Sequence, residues 1–456
     1  MADYRNAYYF EVKQLLNFQR TIMGRYRFSI DLGETFTDFV IMDDAGKLSI
    51  KKIPTTIHDS TQSLVEEIGY FVTECKIEPS EVEALVVGMS VQMPPAMAIT
   101  CARDLENKLL ADSWSTPLRL VTNHGQLLPI DEAAENPESI MYPRIGGLMT
   151  GRYFGNQIGQ KNLVVLRIGG SSAFVSLQTE LSSTSMHSLD ASLENQVRSF
   201  SVGGNSYIGL NENNEPVLLA EHATPGPGPA CFDRGGIYPT LTDADLVLGY
   251  LNKDYFLYGA IPLKVDLAKK AILEHLATPL KISVEEAAMR VSNGVEATIA
   301  AQIRELTGAH TAELESYSLL AFGGAGPVHA CEIARQLGIS QVVVPVGAGV
   351  SSALGYLLVL AENNPEWEIP AAMQRAGYYN PTNRTGDFHA LKGYRSVYYE
   401  KDLTPCGCPI YDRAGIRAED TLSGPAIIEG PETTVVMHEK SYARMDSFRN
   451  LRILLR

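Results

Sequence analysis

The chain has 456 residues, 45% of them hydrophobic and 20% charged, the balance of a globular protein of roughly three domains. With 38 Lys+Arg against 53 Asp+Glu the net charge is −15, which repels a phosphate backbone and excludes a general nucleic-acid binder. No apolar run approaches the ~18 residues of a membrane span, and six cysteines are too few for a disulfide scaffold, so a cytoplasmic protein with reduced thiols is expected.

Residues 1–24 lack the basic-then-apolar plan of a secretory signal and read as an N-terminal extension with a loose helical stripe (Tyr8, Tyr9, Val12, Leu15, Leu16, Ile22). Three strands in a meander follow: Arg27 to Gly33, Thr35 to Met42, and Lys47 to Ile53, in which Leu48 and Ile50 alternate with polar neighbours. A helix from about Ser60 carries Leu64, Ile68, Phe71 and Val72 at helical spacing. After it come a short buried strand at 83–88, a helix near 98–110 and a strand at 117–122.

The strand–glycine–strand unit at 162–177 repeats the layout of 27–42, as in a diverged internal duplication. Thr224-Pro-Gly-Pro-Gly-Pro229 must be a loop, because proline fixes φ and removes amide donors. Ser283-Val-Glu-Glu286 has the spacing of a capping box, opening a helix with Ala288, Val291, Val295, Ile299 and Ile303 on one face. Strand 318–322, a glycine turn, helix 328–337 and strand 341–345 make a βαβ-like unit.

Three glycine turns each follow an apolar strand: Asp31-Leu-Gly-Glu-Thr-Phe-Thr-Asp38, Ile168-Gly-Gly-Ser-Ser172 and Phe322-Gly-Gly-Ala-Gly-Pro327. Glycine lets a main chain approach a ligand and aim amides at phosphate oxygens. Thr35, Thr37, Ser171 and Ser172 add hydroxyls, and Asp31 at a strand end is a candidate ligand for water or Mg²⁺. Together these are expected to form a split nucleotide site, with Asp31, Gly33, Thr35 and Thr37 facing the phosphates or Mg²⁺, Gly169, Gly170, Ser171 and Ser172 gripping from the other side, and Gly323, Gly324 and Gly326 along the adenosine. The general base is unassigned, with Asp38 and Asp243 as candidates; Asp243 and Asp245 each read as a helix cap or a cleft carboxylate. Cys231 has no adjacent base, and Cys406-Gly-Cys408 lacks the spacing of a structural zinc site.

The chain resembles the hydantoinase A / 5-oxoprolinase family. The resemblance rests on Ile30–Asp38 with Ile53-Pro-Thr-Thr56, Pro227–Cys231 with Arg234-Gly-Gly236, Pro239–Gly249, Phe322–His329, Gly349–Gly355, Pro409–Arg413 and Gly424–Glu429, in family order. It implies an α/β actin/hexokinase-like fold of two ribonuclease-H-like lobes with a small β-rich C-terminal domain. The expected divisions are a shortened N-terminal lobe at 25–97, a main domain at 98–361 and the C-terminal domain at 362–456. It also implies ATP and Mg²⁺ in the cleft, a cyclic-amide substrate (hydantoin, 5-oxoproline or lactam type) activated by phosphorylation of its oxygen, and a hydantoinase-B-like partner. The family's carboxylase branch activates ketones instead.

Some positions depart from the family pattern. Glu34 replaces a glycine, Arg167 and Phe174 stand where acidic residues are usual, Phe200 replaces a histidine, and Gly226 replaces an acidic residue. Losing two carboxylates from a Mg·ATP site opens a second reading, a non-catalytic homologue acting as scaffold or regulator of the partner. It also opens a role for Arg167 as a direct phosphate partner.

Overall fold

The computed structural model describes residues 25–55, 61–142, 144–179, 197–219, 227–364, 390–399 and 403–456. The expected N-terminal stripe and the first half of the proline loop lie outside them. Two sheets built to one plan dominate the fold. The first contains β1 (Tyr26–Leu32), β2 (Phe36–Asp43), β3 (Leu48–Pro54), β4 (Val82–Met89), β5 (Leu118–Val121) and β6 (Leu127–Pro129), in the order β3-β2-β1-β4-β5-β6. β1 and β3 are antiparallel to β2, while β4 and β5 run parallel to β1.

The second sheet repeats this with β7 (Leu163–Ile168), β8 (Ala173–Gln178), β9 (Val197–Phe200), β12 (Ser318–Phe322) and β13 (Gln341–Val344) in the order β9-β8-β7-β12-β13. Their directions match: β7, β8 and β9 alternate, and β12 and β13 run parallel to β7. The duplication read from the two strand–glycine–strand units is therefore carried by five strands in each sheet. Between the halves of the second sheet, β10 (Ile208–Leu210) and β11 (Pro216–Leu218) form a small hairpin.

Both sheets are covered on both faces, which is why β4, β7 and β12 are nearly continuous apolar runs and why β1, although Arg27, Ser29 and Asp31 alternate with its apolar residues, is buried along almost its whole length. On the first sheet, α1 (Thr61–Glu74) and α2 (Pro95–Ala111) enclose a core in which the Phe28 ring sits 5.9 Å from Phe39, 5.9 Å from Phe71 and 6.2 Å from Trp114. This core continues through Ile130 and Met141. A boundary at 97 would leave α2, β5 and β6 outside the core they complete.

The second sheet packs on α3 (Ile145–Ile158) on one side, and on α5 (Val284–Thr307) and α6 (Gly326–Leu337) on the other. α5 is capped as its sequence predicts, with Ser283 Oγ accepting from Glu286 N at 3.0 Å, and all five residues of its expected face are buried. A last helix, α7 (Ser351–Glu362), leaves the second lobe and packs on β1 and β4 of the first. It crosses α3 so closely that a Cβ on Gly355 would lie 1.9 Å from Gly146 O.

The C-terminal strands divide between two sheets. β14 (Leu391–Val397), β15 (Cys406–Asp412), β17 (Ala426–Glu429) and β18 (Thr434–Met437) form a separate sheet, while β16 (Thr421–Ser423), β19 (Ser441–Met445) and β20 (Leu451–Leu455) extend the second lobe. β20 pairs antiparallel with β13, satisfying an edge that would otherwise present unpaired amides. Buried Glu429 accepts from Arg395 at 2.8 Å, pairs with Lys392, and accepts from Asn252 at 3.3 Å. It thereby pins the small sheet to the second lobe.

Candidate functional site: a cleft between the lobes

The turn after β1 and the turn after β7 face each other across a cleft. Asp31, Gly33, Glu34, Thr35 and Asp38 line it from the first lobe, and Gly169, Gly170, Ser171 and Ser172 from the second. Gly323 and Gly324, after β12, close a third side. Backbones meet here without room for side chains. A Cβ on Gly170 would lie 2.3 Å from Thr35 Oγ1. Gly323 has φ +84°, and a Cβ there would lie 2.2 Å from Ile168 O, a position only glycine fills without strain. Among the direct bonds between the lobes, Asn205 Nδ2 donates to Thr35 Oγ1 at 2.7 Å.

Three expected residues lie outside the lining. The Thr37 hydroxyl is 3.1 Å from that of Thr55, which in turn donates to Gly33 O at 2.7 Å, so Thr37 braces the hairpin from behind. Gly326 begins α6 against β7. Asp243 is fully buried and caps α4 (Leu241–Val247), where its carboxylate accepts from Cys231 N (2.8 Å), Ala230 N (3.2 Å), Thr240 N (3.0 Å) and Thr240 Oγ1 (2.8 Å). With its oxygens filled this way, Asp243 is an anchor for the proline loop and not a base facing the cleft.

Asp245, two residues on, does line the cleft. Its Oδ2 lies 3.3 Å from His329 Nε2, and His329 Nδ1 lies 2.9 Å from Glu296 Oε1, all three being buried. Asp245 Oδ1 has no hydrogen-bond partner among the described residues. Burial alone pushes the His329 imidazole down, but the carboxylates on either side override it and raise its pKa to about 10. Burial also raises Glu296, moderated by the imidazole.

An imidazole raised above its unfolded value of about 6.5 stabilises the fold fully below that pH and loses this contribution as pH rises through the folded value. The unfolding free energy is therefore expected to fall between about pH 7 and pH 10, with a shallower slope for His329→Gln in denaturant titrations. Equal slopes would remove His329 from the account.

Asp38 is buried, and its carboxyl is raised to about 6 by burial, against the opposing pull of Lys52. Lys52 stands opposite it across the β2–β3 register, pairs with it, and donates to Gly349 O at 3.1 Å. The Lys52 ammonium lies 5.3 Å from the centroid of the Phe36 ring. Beyond it Phe36, Phe232 and Phe256 form an apolar wall, with centroids 5.7–6.4 Å apart. Leu257 and Tyr258 at the end of this wall hold φ of +50° and +60°, a strained conformation for side chains of this size. The wall, Lys52, Asn205 and the C-terminal loop at Gly430–Thr434 are lining elements that sequence reasoning missed. Thr433 Oγ1 ties that loop to Gly324 O at 3.0 Å.

Asp31 is buried, and its Oδ1 accepts from Ser90 Oγ at 2.6 Å and Tyr356 OH at 3.2 Å. Its Oδ2 lies 3.8 Å from Arg167 Nη2. A divalent ion at Asp31 would sit beside a guanidinium, and among the described residues no group of three or more His, Cys, Asp or Glu could hold a metal. The residues present do not fit a protein-held Mg²⁺. Phe174, opposite Arg167 in the β7–β8 pair, turns away from the cleft: its Cε1 is 3.2 Å from a Cβ built on Gly147 of α3.

Two duplicated lobes with glycine bends converging on the cleft between them define an actin/hexokinase-like ATPase fold. The chain belongs to the hydantoinase/oxoprolinase family. The family's N-terminal region matches residues 27–93, its central Hydantoinase/oxoprolinase domain 96–363, and its C-terminal domain 376–454. It is 34% identical over 269 residues to the acetophenone carboxylase gamma subunit of Aromatoleum aromaticum, covering 56% of this chain and 36% of that protein. It is 34% identical over 163 residues to the caprolactamase subunit alpha of Pseudomonas jessenii, covering 36% of this chain and 23% of that one. The chain thus spans about a third or less of the length of these curated relatives. The structures of nucleotide-free acetone carboxylase (TM-score 0.69, 16% identity, 94% of this chain and 99% of that one) and of the ATP-dependent caprolactamase from Pseudomonas jessenii (0.67, 16%, 94% and 99%) share its fold. No helix among the described residues is long and apolar enough to cross a membrane.

Proposed function

We propose that this chain is the A-type subunit of an ATP-dependent cytoplasmic hydrolase of cyclic amides, working with a hydantoinase-B-like partner. The observation that carries this reading is the convergence of three glycine bends from two lobes on one cleft, beside a wall of three phenylalanines. An amide resists water because resonance gives its C–N bond partial double-bond character. ATP would transfer its γ-phosphoryl group to the carbonyl oxygen, releasing ADP and leaving an O-phosphorylated imidate whose carbon is the better electrophile; one water then adds at that carbon, the C–N bond breaks with the nitrogen leaving protonated, and a second water cleaves the resulting acyl phosphate to carboxylate and phosphate.

In this reading the bends and the Ser171 and Ser172 hydroxyls hold the phosphates, and the phenylalanine wall takes the apolar part of the ring. Asp245, backed by His329 and Glu296, accepts the proton. No step is assigned to Mg²⁺, because Arg167 stands beside Asp31. The partner is supported by the relatives' own descriptions as a gamma subunit and a subunit alpha.

Two other readings each have an observation behind them. The acetophenone carboxylase relative favours a ketone substrate, and the Arg167–Asp31 pair favours a non-catalytic scaffold. ADP release by the chain with its B-type partner separates the three. Stimulation by 5-oxoproline, caprolactam or hydantoin is the expected result. Stimulation only by a ketone with bicarbonate would mean a carboxylase, and a stable complex without ADP release would mean a scaffold.

A further inference from the structure

The cleft carries five carboxylate residues in its lining (Asp31, Glu34, Asp38, Asp245 and Glu432) against two cations, Lys52 and Arg167. A polyphosphate entering such a site needs a positive partner that is not already committed. Lys52 is committed: it pairs with Asp38, donates to Gly349 O, and lies over the Phe36 ring. Arg167 is placed differently. It is the penultimate residue of β7, just before the second glycine turn, and its Nη1 lies 3.5 Å from where a Cβ on Gly169 would stand. Its one ion pair among the described residues is with Asp31 at 3.8 Å, longer than a hydrogen bond, and it also attracts the Asp38 carboxylate at longer range. The guanidinium therefore lies between the two hairpins, with donors available to an anion seated on the glycines. A guanidinium is always charged and matches phosphate oxygens two at a time.

We propose that Arg167 is the resident cation of the phosphate site, so that a nucleoside triphosphate binds without a divalent metal. This rests on the nucleotide reading above. Arg167 occupies the side of Asp31 that a metal would need, and the other carboxylate oxygen is filled by Ser90 and Tyr356. A metal ion brought by the nucleotide would meet a like charge at that point, where ATP alone would meet a complementary one.

Calorimetric titration of the full chain with ATP, once in excess EDTA and once in excess Mg²⁺, tests this. Affinity in EDTA is expected to equal that in Mg²⁺ to within about threefold. Arg167→Ala is expected to lose about 10- to 100-fold in EDTA, the size of a lost charge-assisted pair. Arg167→Lys is expected to recover only part of this, because the charge returns without the fork. Binding that appears only with Mg²⁺ would overturn the proposal and leave the nucleotide reading standing. Absence of binding under both conditions, with the thermal unfolding transition intact, would overturn both.

Discussion

Replacing Asp245 with asparagine is expected to lower partner-dependent ATP turnover by about 100-fold or more, the usual size of a lost proton acceptor, while ATP affinity stays nearly unchanged. Asparagine keeps the shape and a polar contact towards His329, but it cannot take a proton. The choice of Asp245 follows from what the neighbouring carboxylates already do. Asp243 accepts four hydrogen bonds from the proline loop and its own helix cap. Asp38 is paired with Lys52, and Asp31 holds Ser90, Tyr356 and Arg167. Asp245 keeps one oxygen without a partner among the described residues and has a buried imidazole behind the other. Steady-state kinetics beside calorimetric binding read both quantities. Turnover within threefold of wild type would remove Asp245 from the chemistry. The asparagine must also leave the unfolding transition cooperative, because His329 loses one of its two carboxylates.

The second large effect concerns the join between the lobes. Gly355→Ala is expected to destabilise the protein by about 3 kcal/mol, the upper end of overpacking costs. The added methyl would lie 1.9 Å from Gly146 O and 2.5–2.6 Å from the adjoining Gly146 backbone carbons. No side-chain rotation relieves a clash with backbone, so α3 and α7 must move apart. These helices cover opposite sheets, α3 the second and α7 the first, so their separation also pushes the two lobes apart at the join. Denaturant titration measures the loss. The control is Gly69→Ala, at a half-buried position of α1 with nothing within 4 Å of the new methyl, which is expected to be neutral or slightly stabilising. A Gly355→Ala variant as stable as wild type would mean that the crossing is looser than described.

Much of this site is legible in the sequence because glycine turns after apolar strands are rarely ornamental. All three bends line one cleft, and the Arg27–Met42 and Asn162–Leu177 units occupy matching places in matching sheets. The exchange of Asp243 for Asp245 was also within reach. Thr240 and Asp243 have capping-box spacing, which commits Asp243 to the helix start and leaves Asp245 as the residue to watch. Lys52 gave a weaker signal: it continues the alternation of Leu48 and Ile50 and so points a charge to their face of β3.

Other features depend on distance through the chain. Thr433 reaches Gly324 from 109 residues away, and Asn205 meets Thr35 across 170. No local pattern encodes either contact. The C-terminal strands divide between two sheets because β13 needs an edge partner, a demand that exists only once the second lobe is built.

Amide hydrogen exchange of the full chain with and without a non-hydrolysable ATP analogue tests the convergence itself. Protection is expected to rise together at Gly33–Thr35, Gly169–Ser172 and Gly323–Ala325. Protection confined to one of these bends, or absent from all three, would contradict it.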